Sequence, residues 1–257
     1  MMTSRERVLR TLEFNSPDRI PVDLWVLPKA RLTYGEAFDT LYHQSEKDIV
    51  SIAGPFDHGY TPEYYQLGKY TDPWGSVWTN MQAGIIGEVK EPVFADYENM
   101  EGYEPPVAQF LSEWAEARDG IAAQIARARD AGKFVIGGWI SLFERMQYLR
   151  GTEDLYCDIA LEEEEMFQMI ELVMQYMRVY VDKWLEMDID AMTFGDDWGT
   201  QISRQQTLPF GTPEDIYAAA ETMKKELFRN GGLIGQSEVG GDVSLENVEA
   251  VLTAWNR

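Results

Sequence analysis

The chain has 257 residues, 45% of them hydrophobic, enough to bury the core of one large α/β domain. Its 44 acidic residues against 22 basic give a formal net charge of -22, a field that repels phosphate backbones and anionic lipid headgroups and argues against nucleic acid or membranes as partners. The single cysteine, Cys157, leaves no internal disulfide framework and no multi-thiolate metal centre, and the absence of an apolar leader or of ~18 consecutive apolar residues makes a cytoplasmic protein the expectation.

Thr3 followed by Glu6 spells a capping box, and Val8, Leu9 and Leu12 supply the apolar stripe of a short helix that ends before Pro17. Ile20 to Val26 reads as a first core strand carrying Asp23 and Trp25, and Ile49 to Ala53 as a weaker second one. From about residue 56 to 103 the rhythm changes. Aromatic and glycine-rich runs surround an Asp72-Pro73-Trp74-Gly75 turn, which predicts a hairpin excursion from the main repeat, with Trp74 or Trp78 packing over the site.

After Pro105-Pro106, a helix holding Ile121, Ile125 and Ala128 stops near Gly132, and Phe134 to Gly138 forms the next strand. Trp139 to Arg150 reads as a loop turning into helix, which places Glu144 and Arg145 near that strand's C-terminal end. Glu162 to Glu165 open what reads as the longest helix, with Met166, Ile170, Val173, Met177, Val181 and Trp184 as its inward stripe.

A short apolar strand then runs from Ile189 to Phe194 and stops at Gly195-Asp196-Asp197-Trp198-Gly199-Thr200-Gln201. In α/β folds the C-terminal ends of parallel strands open onto the ligand crevice, so Asp196 and Asp197 are the first candidates for acid or base chemistry. The alternative for such a pair is capping of nearby backbone N–H groups. A well-signalled helix, with Thr212 as cap, Pro213 at its first position and Gly231 beyond its end, follows closely. A short strand at Leu233-Ile234 and a helix capped by Ser244 complete the pattern. Alternating strands and helices predict a parallel sheet, with about five strand candidates where a closed eight-stranded barrel needs more.

The order of several segments resembles the uroporphyrinogen decarboxylase superfamily, which includes corrinoid-dependent methyltransferases. These segments are Ser4-Arg5-Glu6-Arg7-Val8-Leu9 with Pro17-Asp18-Arg19-Ile20-Pro21-Val22, the Tyr70 to Gly75 turn, Phe143-Glu144-Arg145, Gly195 to Gln201, and Leu208-Pro209-Phe210-Gly211-Thr212-Pro213. The resemblance implies a single-domain TIM (β/α)8-type barrel over residues 1–257, internally shortened near 201–211, with about three βα units missing after Gln201. It implies methyl transfer between a small methylated donor and a corrinoid or folate carrier, with a corrinoid protein as a partner and corrinoid as co-substrate. Asp197 and Asp196 would be catalytic, and Asp23, Trp25, Trp139, Glu144, Arg145, Trp198 and Gln201 would bind substrate.

The zinc ligands such methyltransferases keep have no counterpart here, because His43, His58 and Cys157 lie in unrelated segments, so no metal is expected. Two other readings stay open. One is a decarboxylase acting on uroporphyrinogen or another carboxylic acid, with Arg145 holding carboxylates; the other is an inactive fragment or scaffold subunit in an oligomer with itself or another chain.

Overall fold

The computed structural model describes residues 2–56, 62–196 and 207–256, without the side chains of Pro62 and Glu63. In chain order, α1 (Ser4–Leu12) is followed by β1 (Val22–Val26), α2 (Pro28–Tyr34), α3 (Glu36–Gln44) and β2 (Ile49–Ile52). The next segment holds β3 (Gly68–Thr71), β4 (Val77–Asn80) and β5 (Glu88–Glu91) before α4 (Val107–Asp130) and β6 (Phe134–Ile140). Then come α5 (Phe143–Arg150), α6 (Thr152–Leu161), α7 (Glu164–Leu185) and β7 (Ala191–Phe194). The chain closes with α8 (Thr207–Phe210), α9 (Pro213–Leu227), β8 (Gly235–Val239) and α10 (Leu245–Asn256). Strands β1 and β8 pair in one sheet, β2, β6 and β7 follow one another in a second, and β3, β4 and β5 make a third.

The chain divides into two compact units. The first comprises Met1–Val50, Ala126–Val135 and Thr200–Arg257, and the second Ser51–Ile125 and Ile136–Gly199.

In the first unit, β1 and β8 run parallel with Val22 opposite Gly235 and Trp25 opposite Glu238. Val22 packs with Ile216 and Ala220 of α9 and with Ala250, Val251 and Trp255 of α10, while Leu24 packs with Phe38, Val239 and Val248. Side chains alternate along a strand, so this burial turns Asp23 and Trp25 to the opposite face. The amino-terminal motif residues form a scaffold. Arg7 bonds Asp18 and the fully buried Asp48, Arg19 Nη1 donates to Asp48 Oδ2 at 2.7 Å, and the Val22 N–H donates to the same oxygen at 2.8 Å. Thr3 caps α1 by accepting the Glu6 N–H, and Thr212 and Asp215 complete a reciprocal capping box on α9.

In the second unit, β7 pairs in parallel with β6, and a bulge between Gly137 and Trp139 breaks the register. Helix α7 buries Met166, Met169, Val173, Tyr176, Met177, Tyr180 and Trp184. Phe110 of α4 meets Tyr176 and Tyr180 at ring-centroid distances of 5.4 and 5.3 Å, and Trp114 meets Trp184 edge-on at 5.1 Å. The excursion is an antiparallel meander, β3-β4-β5, whose first turn is tied by the Asp72 carboxylate.

Three boundaries differ from the sequence reading. The longest helix is α4, with 24 residues against 22 for α7, because Glu162 takes a left-handed conformation that ends α6 and leaves Glu164 to start α7. The buried stripe of α7 is rotated toward Met169, Tyr176 and Tyr180. The last strand lies at Gly235–Val239 rather than Leu233-Ile234, since backbone pairing with β1, not an apolar run, defines it.

Candidate functional site

The second unit holds a cleft at the C-terminal end of β6. Trp139, Ile140 and Ser141 enter it from the strand, Val173, Tyr176, Met177 and Tyr180 from α7, Trp74 from the meander and Arg145 from α5, with Phe56 completing the lining. The cleft is narrow and open on one side, with a cavity volume of ≈ 30 Å³.

The bulge in β6 creates the cleft's inner wall. Gly138 has φ +68° and its missing side chain is filled by the Trp184 indole and the Tyr180 hydroxyl, where a Cβ would lie 2.6 Å from each. The Trp139 N–H that the bulge frees donates to the Tyr180 hydroxyl at 3.1 Å. The Trp139 ring in turn lies against Gly195, whose Cβ would come within 2.5 Å of it. The glycine of the Gly-Asp-Asp run is thus the vacancy that Trp139 occupies.

Arg145 is the cleft's cation. Its Nη1 donates to Asp72 Oδ2 at 3.1 Å, and its guanidinium carbon sits 5.0 Å from the Trp74 ring centre and 5.4 Å from that of Tyr148. Asp72 is saturated: Oδ1 accepts the Trp74 and Ser76 N–H groups at 3.0 and 2.9 Å, and Oδ2 also accepts the Trp78 indole N–H at 3.1 Å. Burial pushes the Tyr64, Tyr103 and Tyr148 hydroxyls well above the usual phenol range, so at neutral pH they stay uncharged around the pair. Trp74 also meets Tyr176 edge-on at 4.9 Å.

Asp196, at the end of β7, accepts the Glu144 N–H at 3.0 Å and so caps the first turn of α5, the helix that carries Arg145. The Glu144 carboxylate accepts the Tyr148 hydroxyl at 3.3 Å. Of the residues singled out from the sequence, Trp139 and Arg145 line the cleft, and Asp196 and Glu144 frame the start of α5. Asp197, Trp198, Gln201 and His58 lie outside the described residues.

Asp23 and Trp25 belong to the first unit, where the Trp25 indole N–H donates to Asp23 Oδ2 at 2.8 Å and the Leu24 N–H to Oδ1 at 2.9 Å. Desolvation by burial raises the Asp23 pKa above the usual carboxylate value, against the pull of those bonds. Among the described residues no three His, Cys, Asp or Glu side chains converge as a metal site needs, and no helix is long and apolar enough to cross a membrane. His43 is exposed in α3 and Cys157 exposed in α6.

Sequence inspection missed Asp72, Tyr176 and Tyr180. The Asp-Pro-Trp-Gly turn held the first in plain view, as the one carboxylate positioned to cap its own turn. The two tyrosines sit one helical step from the chosen stripe of α7, where an aromatic pair at i and i+4 was a readable sign of a second buried face.

No protein-family model matches the chain, and no curated protein is similar to it in sequence. Among solved structures, a methyltransferase from Methanosarcina mazei is similar in fold, with a TM-score of 0.62 at 13% sequence identity, covering 100% of this chain and 99% of that one. At this identity the likeness establishes a mixed α/β fold with parallel strand pairing.

Proposed function

We propose that the chain is an enzyme of the uroporphyrinogen decarboxylase-like type that moves a methyl group from a small methylated donor to a corrinoid or folate carrier. The observation that carries this reading is the narrow, ring-walled cleft with its buried guanidinium at the end of β6, adjoining the aspartate that ends β7. The scaffold we propose is an incomplete (β/α)8-type barrel, one domain shortened near 201–211. Its support is the parallel pairing of the last strand with the first, as the two ends of a barrel sheet pair, and the fold likeness to a methyltransferase.

In this reading Trp74, Trp139 and Tyr176 exclude water and hold the donor, Arg145 orients it, and Asp196 fixes the helix that carries Arg145. Asp197 gives its proton to the donor heteroatom as the heteroatom–carbon bond breaks and the methyl group leaves for the nucleophile that the carrier supplies. The carrier arrives as co-substrate, delivered by a corrinoid protein, in the cytoplasm. Trp198 and Gln201, which follow Asp197 in the sequence, contribute to substrate binding.

A second reading, decarboxylation of a small carboxylic acid, is favoured by the buried Arg145. A tetrapyrrole with its many carboxylates would meet a single cation among the residues that line the cleft. Purified protein mixed with cob(I)alamin and a panel of methylated donors tests the proposal by visible absorbance. Methylcobalamin formation supports it. Carbon dioxide release from a small acid without corrinoid methylation, or coproporphyrin fluorescence from uroporphyrinogen, overturns it.

A further inference from the structure

We infer that the cleft selects its ligand by charge: the donor is a small methylated carboxylic acid, bound with its carboxylate on the Arg145 guanidinium, rather than an amine or a neutral molecule. This deepens the methyl-transfer reading of the same cleft and rests on it only for the ligand's fate. Arg145 is the one formal charge at neutral pH among the lining residues. Asp72, the carboxylate that balances it, is fully buried and committed to four hydrogen bonds, so it has nothing to offer a cation.

A guanidinium carries five N–H donors in a planar fork; Asp72 takes one through Nη1 and the Tyr64 hydroxyl is also hydrogen-bonded to the guanidinium, leaving further donors of the fork for a ligand. The fork suits a carboxylate, whose two oxygens accept paired N–H groups side by side. Aromatic faces also attract cations, which is the chief argument for an amine donor. One of the lining faces, that of Trp74, is already taken by the guanidinium, so a second cation in the cleft would meet like charge at a buried arginine. The net charge of -22 repels anions at long range, and one buried cation inverts that sign locally.

Three probes of matched size and shape decide the matter: methoxyacetate, 2-methoxyacetamide and 2-methoxyethylammonium, titrated against the full-length protein by quenching of tryptophan fluorescence. Methoxyacetate should bind roughly tenfold or more tighter than the other two, as a charge-assisted hydrogen bond to a buried guanidinium implies. Arg145→Gln should bring it to the level of the amide, with amide binding retained as proof of an intact cleft. Arg145→Lys should keep part of the preference, and Lys69→Gln, on the exposed meander, should change nothing.

Equal binding of the three probes, or tighter binding of the ammonium, overturns the inference on the unaltered protein alone, whatever the variants do. Binding requires no carrier, so the two ideas fail separately. An anion preference without methyl transfer overturns the proposed reaction, and methyl transfer from neutral or cationic donors without that preference overturns the charge selection.

Discussion

Asp72 and Asp196 are both carboxylates that accept backbone N–H groups, yet their surroundings assign them different work. Asp72 is buried with an indole and a guanidinium on one oxygen, so Asp72→Asn forces an amide N–H toward donors or leaves Arg145 unbalanced. Breaking one side of a buried pair costs about 3–5 kcal/mol, and the melting temperature of this variant should fall accordingly. In residual folded protein the loss should appear in KM for an anionic donor before kcat, because Asp72 acts through Arg145. Asp196 is exposed and caps α5, a task that Asn performs about as well as Asp. Asp196→Asn should therefore leave stability within about 1 kcal/mol and turnover nearly intact. Asp197→Asn should melt like the parent and lose about a hundredfold to ten-thousandfold in turnover, the usual range for a missing general acid. Equal losses in the two variants, or early melting of Asp197→Asn with normal activity per folded molecule, would remove Asp197 from the chemistry.

Elements are held by interactions that the sequence displays unevenly. The amino-terminal pattern Arg7, Asp18 and Arg19 becomes an ion network around Asp48, which lies at the start of β2 with no exposed side-chain surface. The Arg7 hydrogen bond holds the Asp18 carboxyl below its usual value. For Asp48, burial pushes upward, but the Val22 N–H and Arg19 together hold it low. Both groups then contribute stability that is complete above the unfolded carboxylate pKa and is lost as pH falls through the depressed native values. Arg7→Met should cost about 3–5 kcal/mol at neutral pH and move acid unfolding to higher pH, measured by circular dichroism across an acid titration. An unchanged acid midpoint would show the network to be ornamental.

Much of this level was legible in advance. Thr3, Thr212 and Pro213 announced their helices because capping is local chemistry. The turn at Asp72 announced the meander for the same reason. The strand at Gly235–Val239 was not legible, because its polar alternation has meaning only opposite β1. Trp139 and Arg145 were found because both follow a readable strand, whereas Asp72 joins them across 73 residues of sequence, a distance that local patterns do not span.

At the scale of the whole chain, composition and fold point the same way. The net charge of -22 disfavours association with phosphate backbones and anionic surfaces. Parallel pairing of β6 with β7 sets Ser141 and Asp196 just beyond the strand ends, where α/β enzymes place their chemistry. The central claim is methyl transfer at the ring-walled cleft. Its most direct measurement is mass-spectrometric detection of a trideuteriomethyl group passing from a small labelled donor to cob(I)alamin, with the parent protein and Trp139→Ala run side by side. The account predicts labelled methylcobalamin from the parent at a rate at least about tenfold above that of the variant, since loss of a positioning contact typically costs that much or more. Label that stays on the donor with the parent protein, or transfer that is indifferent to Trp139, would contradict it.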